Sequence, residues 1–187
     1  YYFGKDGAKQ TGWVSVGRTW YYMNASGVMQ TGWVKVGAQR YYLDASGAMQ
    51  TGWARVGSSW FYLKADGAQT TGWALLGGKW YYLNPSAGGA MATGWVAIGG
   101  EWYYMQSSGA MATGWAKSGS NWYYLNSSGV MHTGWLQLGN NWYYLKANGV
   151  MVTGVYTING RANIFDSSGL WLGYASTPAP NPAPNPK

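Results

Sequence analysis

The side chains of this chain that could act on another molecule are its rings. There are 14 Trp and 17 Tyr but only 3 Phe among 187 residues, a bias that bulk packing alone does not require. Trp and Tyr bury one face while keeping a polar edge wet, as at binding surfaces. The rings are also regularly spaced. The triplet Thr-Gly-Trp ends at Trp13, Trp33, Trp53, Trp73, Trp95, Trp115 and Trp135, with a worn copy ending at Val155. In six of the seven full copies a second tryptophan follows seven residues later and opens an aromatic block, such as Trp20-Tyr21-Tyr22 or Trp122-Tyr123-Tyr124. Grooves walled by indoles and a phenol suit a quaternary ammonium group. Such a cation has no N–H to donate, but the electron-rich faces of aromatic rings attract it.

Catalysis has little to work with. The acids are Asp6, Asp44, Asp66, Glu101 and Asp166, at turn positions where neighbouring copies hold Asn, Ser, Ala or Lys. That variation marks solvated turn residues, and no two acids are placed for paired acid–base work. His132 is the one histidine, and its counterparts are Gln10, Gln30, Gln50, Thr70, Ala92, Ala112 and Val152. It reads as loop decoration. Cysteine is absent, so there is no disulfide or thiolate site. Metal-ligand spacings and phosphate loops are missing too, and no metal or cofactor is expected. The net charge of +7 comes from 12 Lys and Arg against 5 acids. The bases are scattered singly, which fits a solvated surface or contact with a polyanion better than nucleic acid. No run of about 18 apolar residues is present for membrane insertion, nor a signal peptide.

The elements that position the rings repeat every 20 residues, with one step of 22 between Trp73 and Trp95. A fixed period in this range marks a solenoid, all-β here, of stacked hairpins. In the first full copy, residues 13–16 and 19–23 form two strands joined by a Gly17-Arg18 turn. Pairing Val16 with Thr19 puts Trp13, Trp20 and Tyr22 on one face and Tyr21 on the other, because side chains alternate. Tyr21, Tyr41, Phe61, Tyr81, Tyr103, Tyr123 and Tyr143 then read as packing residues. Successive hairpins are expected to stack with their ring faces adjacent. A second loop with a polar start and a final Gly follows at 24–27, 44–47, 64–67, 106–109, 126–129 and 146–149, and leads to a recurrent Met. The repeat region is 1–174. It begins inside a repeat, since Tyr1-Tyr2 aligns with Tyr21-Tyr22, and its last copy, about 153–174, is degenerate. Residues 175–187 form a proline-rich tail expected to be an extended spacer. The chain thus reads as a piece of a longer protein.

The pattern TGWxxxGxxWYYLNxSGxM, present at 113–131, resembles the choline-binding repeat of surface proteins and lytic enzymes from Gram-positive bacteria and their phages. Choline recognition by aromatic cages is itself an established case of cation–ring attraction. The resemblance covers residue 1 to about 153. It implies a left-handed β-solenoid that is secreted, lies outside the cell and anchors its owner to choline on wall teichoic and lipoteichoic acids. It also implies sites made by both tryptophans of one repeat and the second tyrosine of the next block. Those sets are Trp13, Trp20 and Tyr42; Trp53, Trp60 and Tyr82; Trp73, Trp80 and Tyr104; Trp95, Trp102 and Tyr124; and Trp115, Trp122 and Tyr144. Met29, Met91, Met111 and Met131 are implied to lie close by. Trp33 and Tyr62 lack a partner because Arg40 replaces the second tryptophan, and Trp135 and Trp142 face Ile164 and are open on one side. The alternative is a carbohydrate-binding array, because glucan-binding and clostridial-toxin repeats share the hairpin and a similar period.

Overall fold

The computed structural model describes residues 1–175, and all but the first residue of the expected proline-rich spacer at 175–187 lies outside them. Eight antiparallel hairpins, joined by loops, supply all but two of the strands among the described residues. They are Gly12–Val16 with Thr19–Met23, Gly32–Val36 with Gln39–Leu43, Gly52–Val56 with Ser59–Leu63, Gly72–Leu76 with Lys79–Asn84, Gly94–Ile98 with Glu101–Met105, Gly114–Ser118 with Asn121–Leu125, Gly134–Leu138 with Asn141–Leu145, and Gly154–Ile158 with Arg161–Phe165. The fourth gains a third strand, Ala90–Met91, and the eighth gains Trp171–Tyr174. No helix among the described residues is long and apolar enough to cross a membrane.

The two-residue turn sets the register, as sequence reasoning requires. Val16 pairs with Thr19, Ser15 with Trp20, Val14 with Tyr21 and Trp13 with Tyr22. Trp13, Trp20 and Tyr22 therefore share a front face, and Val14, Tyr21 and Met23 share the back. Gly17 has a φ of 65°, a left-handed value that a two-residue hairpin turn demands at this point. The back face supplies the core. Met23, Leu43, Leu63 and Leu83 occupy one equivalent position and are almost wholly buried, as are Leu125 and Leu145 further on.

The second loop is held by its first side chain. Asn24 Oδ1 accepts from the backbone N–H of Ser26 at 2.9 Å and of Val28 at 3.0 Å. Asp44 and Asp166 do the same work, and hydrogen bonds from Ser46 and Ser168 hold their carboxyls below the ordinary carboxylate range. The glycine that closes the loop has a packing role as well as a left-handed backbone. A Cβ on Gly47 would meet Met29 Sδ, and one on Gly67 would meet Met49 Sδ, so each methionine lies beneath the glycine of the following repeat. The same methionine step ties repeats together by backbone: Met49 N–H donates to Trp20 C=O at 2.8 Å. A two-stranded hairpin is marginal alone, and this bond covers part of an otherwise open strand edge.

The described residues group into two compact units: Tyr1–Gly94 with Met105–Met111, and Trp95–Tyr104 with the chain from Ala112 on. Within each unit the front of one hairpin meets the back of the next. Trp13 stands edge-on to Tyr41 at 4.8 Å and Trp53 to Tyr81 at 5.0 Å in the first unit; Trp95 meets Tyr123 at 4.6 Å and Trp115 meets Tyr143 at 5.0 Å in the second. This corrects the expectation that ring faces would stack on ring faces. Copies related by the same step each time must present unlike faces to each other, whereas front-to-front contact would reverse the step at every copy.

Candidate functional site: aromatic cages between successive hairpins

Four cavities recur at equivalent places. The first is lined by Trp13, Trp20, Tyr41 and Met49, with Ala65 and Asp66 at its edge. The second joins Trp53, Trp60, Tyr81, Met91 and Ser108. In the second unit, Trp95, Trp102, Tyr123 and Met131 meet Ala147 and Asn148, and Trp115, Trp122, Tyr143 and Met151 meet Ser167 and Ser168. Each cavity draws on three repeats: two indoles from one hairpin, a tyrosine and a methionine from the next, and a loop from the one after. The largest holds about 390 Å³ and the smallest about 280 Å³, at the low end of the roughly 300–1,000 Å³ typical of ligand pockets. That size fits a small head group.

The walls are aromatic and remain in contact with solvent. Trp20 is 46% exposed and Trp102 is 47% exposed, although each has a large apolar surface that packing could bury. The first tryptophan of each pair is braced from its own hairpin instead. Tyr22 lies 5.1 Å from Trp13, and Tyr124 lies 5.3 Å from Trp115. Trp95 Nε1 also donates to Ser118 Oγ at 3.2 Å. Stiff rings at fixed angles make a preformed box, so little ordering remains to oppose binding.

The structure corrects the third ring of four of the five sets. Tyr42, Tyr82, Tyr124 and Tyr144 do not wall the cavity of the preceding tryptophans. They lie on the front of their own hairpins against Trp33, Trp73, Trp115 and Trp135, at 5.1, 5.2, 5.3 and 5.2 Å. The back-face rings Tyr41, Tyr81, Tyr123 and Tyr143, read from sequence as packing residues, take the cavity position because hairpins stack front to back. Among the methionines, Met49, Met91, Met131 and Met151 line the four cavities. Met29 lies beneath Gly47, and Met111 donates its N–H to Trp80 C=O. Trp73 and Trp80 stand edge-on, 6.3 Å apart, in the first unit, whereas Tyr104 belongs to the second unit and packs on Trp95 at 5.0 Å.

The sequence profile of the choline-binding repeat matches residues 11–51, 50–93, 92–133 and 112–156. The chain belongs to the choline-binding repeat family. These repeats are a binding module, and they resemble solved structures over most of their length. CbpJ from Streptococcus pneumoniae TIGR4 superposes with a TM-score of 0.83 at 42% identity, covering 92% of this chain and 61% of that one. Choline binding protein F from Streptococcus pneumoniae gives 0.81 at 41% identity, covering 92% and 60%. The choline-binding domain of CbpL from the same species gives 0.62 at 33%, covering 87% and 86%. The chain thus spans about six-tenths of the CbpJ and protein F structures. A comparison with curated protein sequences finds no match.

Two choline-binding repeats depart from the common cage. Beside Trp33, the guanidinium of Arg40 lies 4.5 Å over the indole, a cation supplied by the chain itself. The third ring is Phe61, edge-on at 4.9 Å, and not Tyr62, which pairs with Trp53. Gln69 replaces the methionine, and the carbonyl of Gly88 accepts from both Gln69 Nε2 at 2.7 Å and Arg40 Nη1 at 3.3 Å. Gly88 belongs to the loop that carries the two extra residues, with a short helical turn at Pro85–Ala87. The insertion and the loss of the tryptophan, separate oddities in the sequence, form one contact. The other departure is at Trp135 and Trp142. They do not face Ile164, which pairs with Val155 on the front of the last hairpin. Trp171 instead stands edge-on to Trp135 at 5.7 Å, and Asn163 occupies the tyrosine position.

Proposed function

We propose that this chain holds choline groups of teichoic and lipoteichoic acids in its aromatic cages, and so anchors its parent protein non-covalently to the wall outside the cell. The observation that carries this reading is the fourfold recurrence of two indoles, a phenol and a thioether around a small open cavity. A trimethylammonium head has no N–H, so a box of ring faces meets its charge without leaving a donor unpaired. The phosphate next to choline in such polymers stays outside the cage, where the net positive surface favours it. Asp66 lies at the edge of the first cavity, where its negative charge favours a cation.

The test is retention on a quaternary-amine resin followed by elution. Free choline should release the chain, and glucose polymers should leave it bound. Release by glucose polymers with no effect of choline would overturn this reading in favour of a glycan-binding array.

A further inference from the structure

We infer that Trp135, Trp142 and Trp171 form an additional cage for a quaternary ammonium group, built from three indoles, its third wall supplied from the methionine position. The inference rests on the choline reading above and extends it to a repeat that has lost its tyrosine.

Position comes first. Phe165 pairs with Gly154 as Met23 pairs with Gly12. Trp171 follows Phe165 by six residues and pairs with it, as Met29 follows and pairs with Met23. Trp171 is therefore the last copy of the step whose earlier members Met49, Met91, Met131 and Met151 all line cavities. Its strand, Trp171–Tyr174, packs against Asn141–Leu145, which carries Trp142.

Volume is exchanged between two neighbouring positions. Asn163 pairs with Tyr156 as Tyr41 pairs with Val34, so a small amide stands where the phenol ring of a common cage belongs. The amide is 1% exposed, donates to Arg161 C=O at 2.8 Å and accepts from Trp171 Nε1 at 3.0 Å. Those bonds satisfy the buried amide and fix the plane of the indole, which fills the space that the phenol leaves.

The three rings meet edge-on. Trp142 lies 6.1 Å from Trp135 at 82°, close to the 6.3 Å and 88° of Trp73 and Trp80. Trp171 lies 5.7 Å from Trp135 at 84°, the edge-on relation that Tyr41 has to Trp13 at 69°. Trp135 and Trp142 reach solvent to the same degree as Trp53 and Trp60 of a formed cavity. The contrast with Trp33 matters. The nearby cations are engaged elsewhere, Lys146 over Tyr156 and Arg161 over Tyr174, and no cation–ring contact among the described residues falls on these three indoles. Indole is the strongest of the aromatic side chains toward cations, so this cage is expected to fill at least as readily as the others.

The test is a choline chloride titration of the full chain, followed through its indole N–H signals by NMR and assigned with single Trp→Phe variants. The Trp142 and Trp171 signals should shift to saturation along with those of Trp20, Trp60 and Trp102. Trp171→Leu should abolish the response of Trp142 and preserve those of Trp60 and Trp102. Trp171 also packs on Val152, Ile158 and Phe165, so Trp142→Leu, at an exposed side chain, is the second variant and should abolish the response of Trp171. Responses at Trp60 and Trp102 with none at Trp142 and Trp171 would overturn the three-indole cage alone. A Trp171 response that survives Trp142→Leu would do the same. Silence at every indole would overturn the choline reading itself.

Discussion

Replacing Tyr41 by Leu removes a wall of the first cage, whereas replacing Tyr42 removes a brace from the neighbouring Trp33. A ring facing a cation contributes about 0.5–2 kcal/mol. Tyr41→Leu is therefore expected to weaken choline at that cage by roughly two- to thirtyfold, and Tyr42→Leu to leave it unchanged. Site-resolved titration distinguishes the two, and the reverse ranking would return the cage to the second tyrosine. Arg40 gives a second prediction at this scale. Its guanidinium already occupies the face of Trp33, and Gly88 bridges it to Gln69. Arg40→Trp alone should not change the number of cholines bound. Combined with Gln69→Met and a loop shortened by two residues, it should add one. Calorimetric stoichiometry reads both, and an extra site from Arg40→Trp alone would show that the loop does not close the place.

At the scale of the element, the hairpin was legible and its stacking was not. A two-residue turn beginning with glycine fixes register, and register fixes which side chains share a face. The front set of Trp13, Trp20 and Tyr22 could be read from residues alone for that reason. The step that carries one hairpin onto the next is a tertiary property, and no local pattern states which face meets which. Hence Tyr41 reads from the sequence as a packing residue, and nothing local marks the loop residues Ala65 and Asp66, two repeats along, as lining. Trp171 stands outside the repeat pattern because the other landmarks of its repeat have decayed. The six-residue spacing from Phe165, matching that from Met23 to Met29, was the signal that could have found it. The stacking step makes its own prediction through Gly47, whose φ is 83° and whose added Cβ would meet Met29 Sδ. Gly47→Ala should cost about 1–2 kcal/mol for the left-handed backbone, and more for the contact. In a Met29→Ala background the contact part should vanish, so thermal unfolding of the four-protein cycle should show coupling. Equal costs in both backgrounds would mean that the methionine has no part in the glycine requirement.

At the scale of the whole molecule, the proposed reading has many weak sites acting together. One cage worth a few kcal/mol corresponds to roughly millimolar binding of free choline, while a polymer that displays many cholines engages several cages at once and is held far more tightly. The net charge of +7 gives nothing to a lone cation but favours the phosphates of such a polymer. Polymer binding is therefore expected to weaken as salt shortens the screening length to about 8 Å and below, with free-choline binding nearly constant. Equal salt dependence for the two would remove the charge from the account. Each cation is expected to sit between the two tryptophans of one hairpin and the first tyrosine of the next. A crystal structure of the chain saturated with choline tests it most directly. Ligand should lie against Trp13, Trp20 and Tyr41 and at the three equivalent places lined by Tyr81, Tyr123 and Tyr143. Empty cages at saturation, or choline seated against Tyr42, Tyr82, Tyr124 and Tyr144 instead, would contradict it.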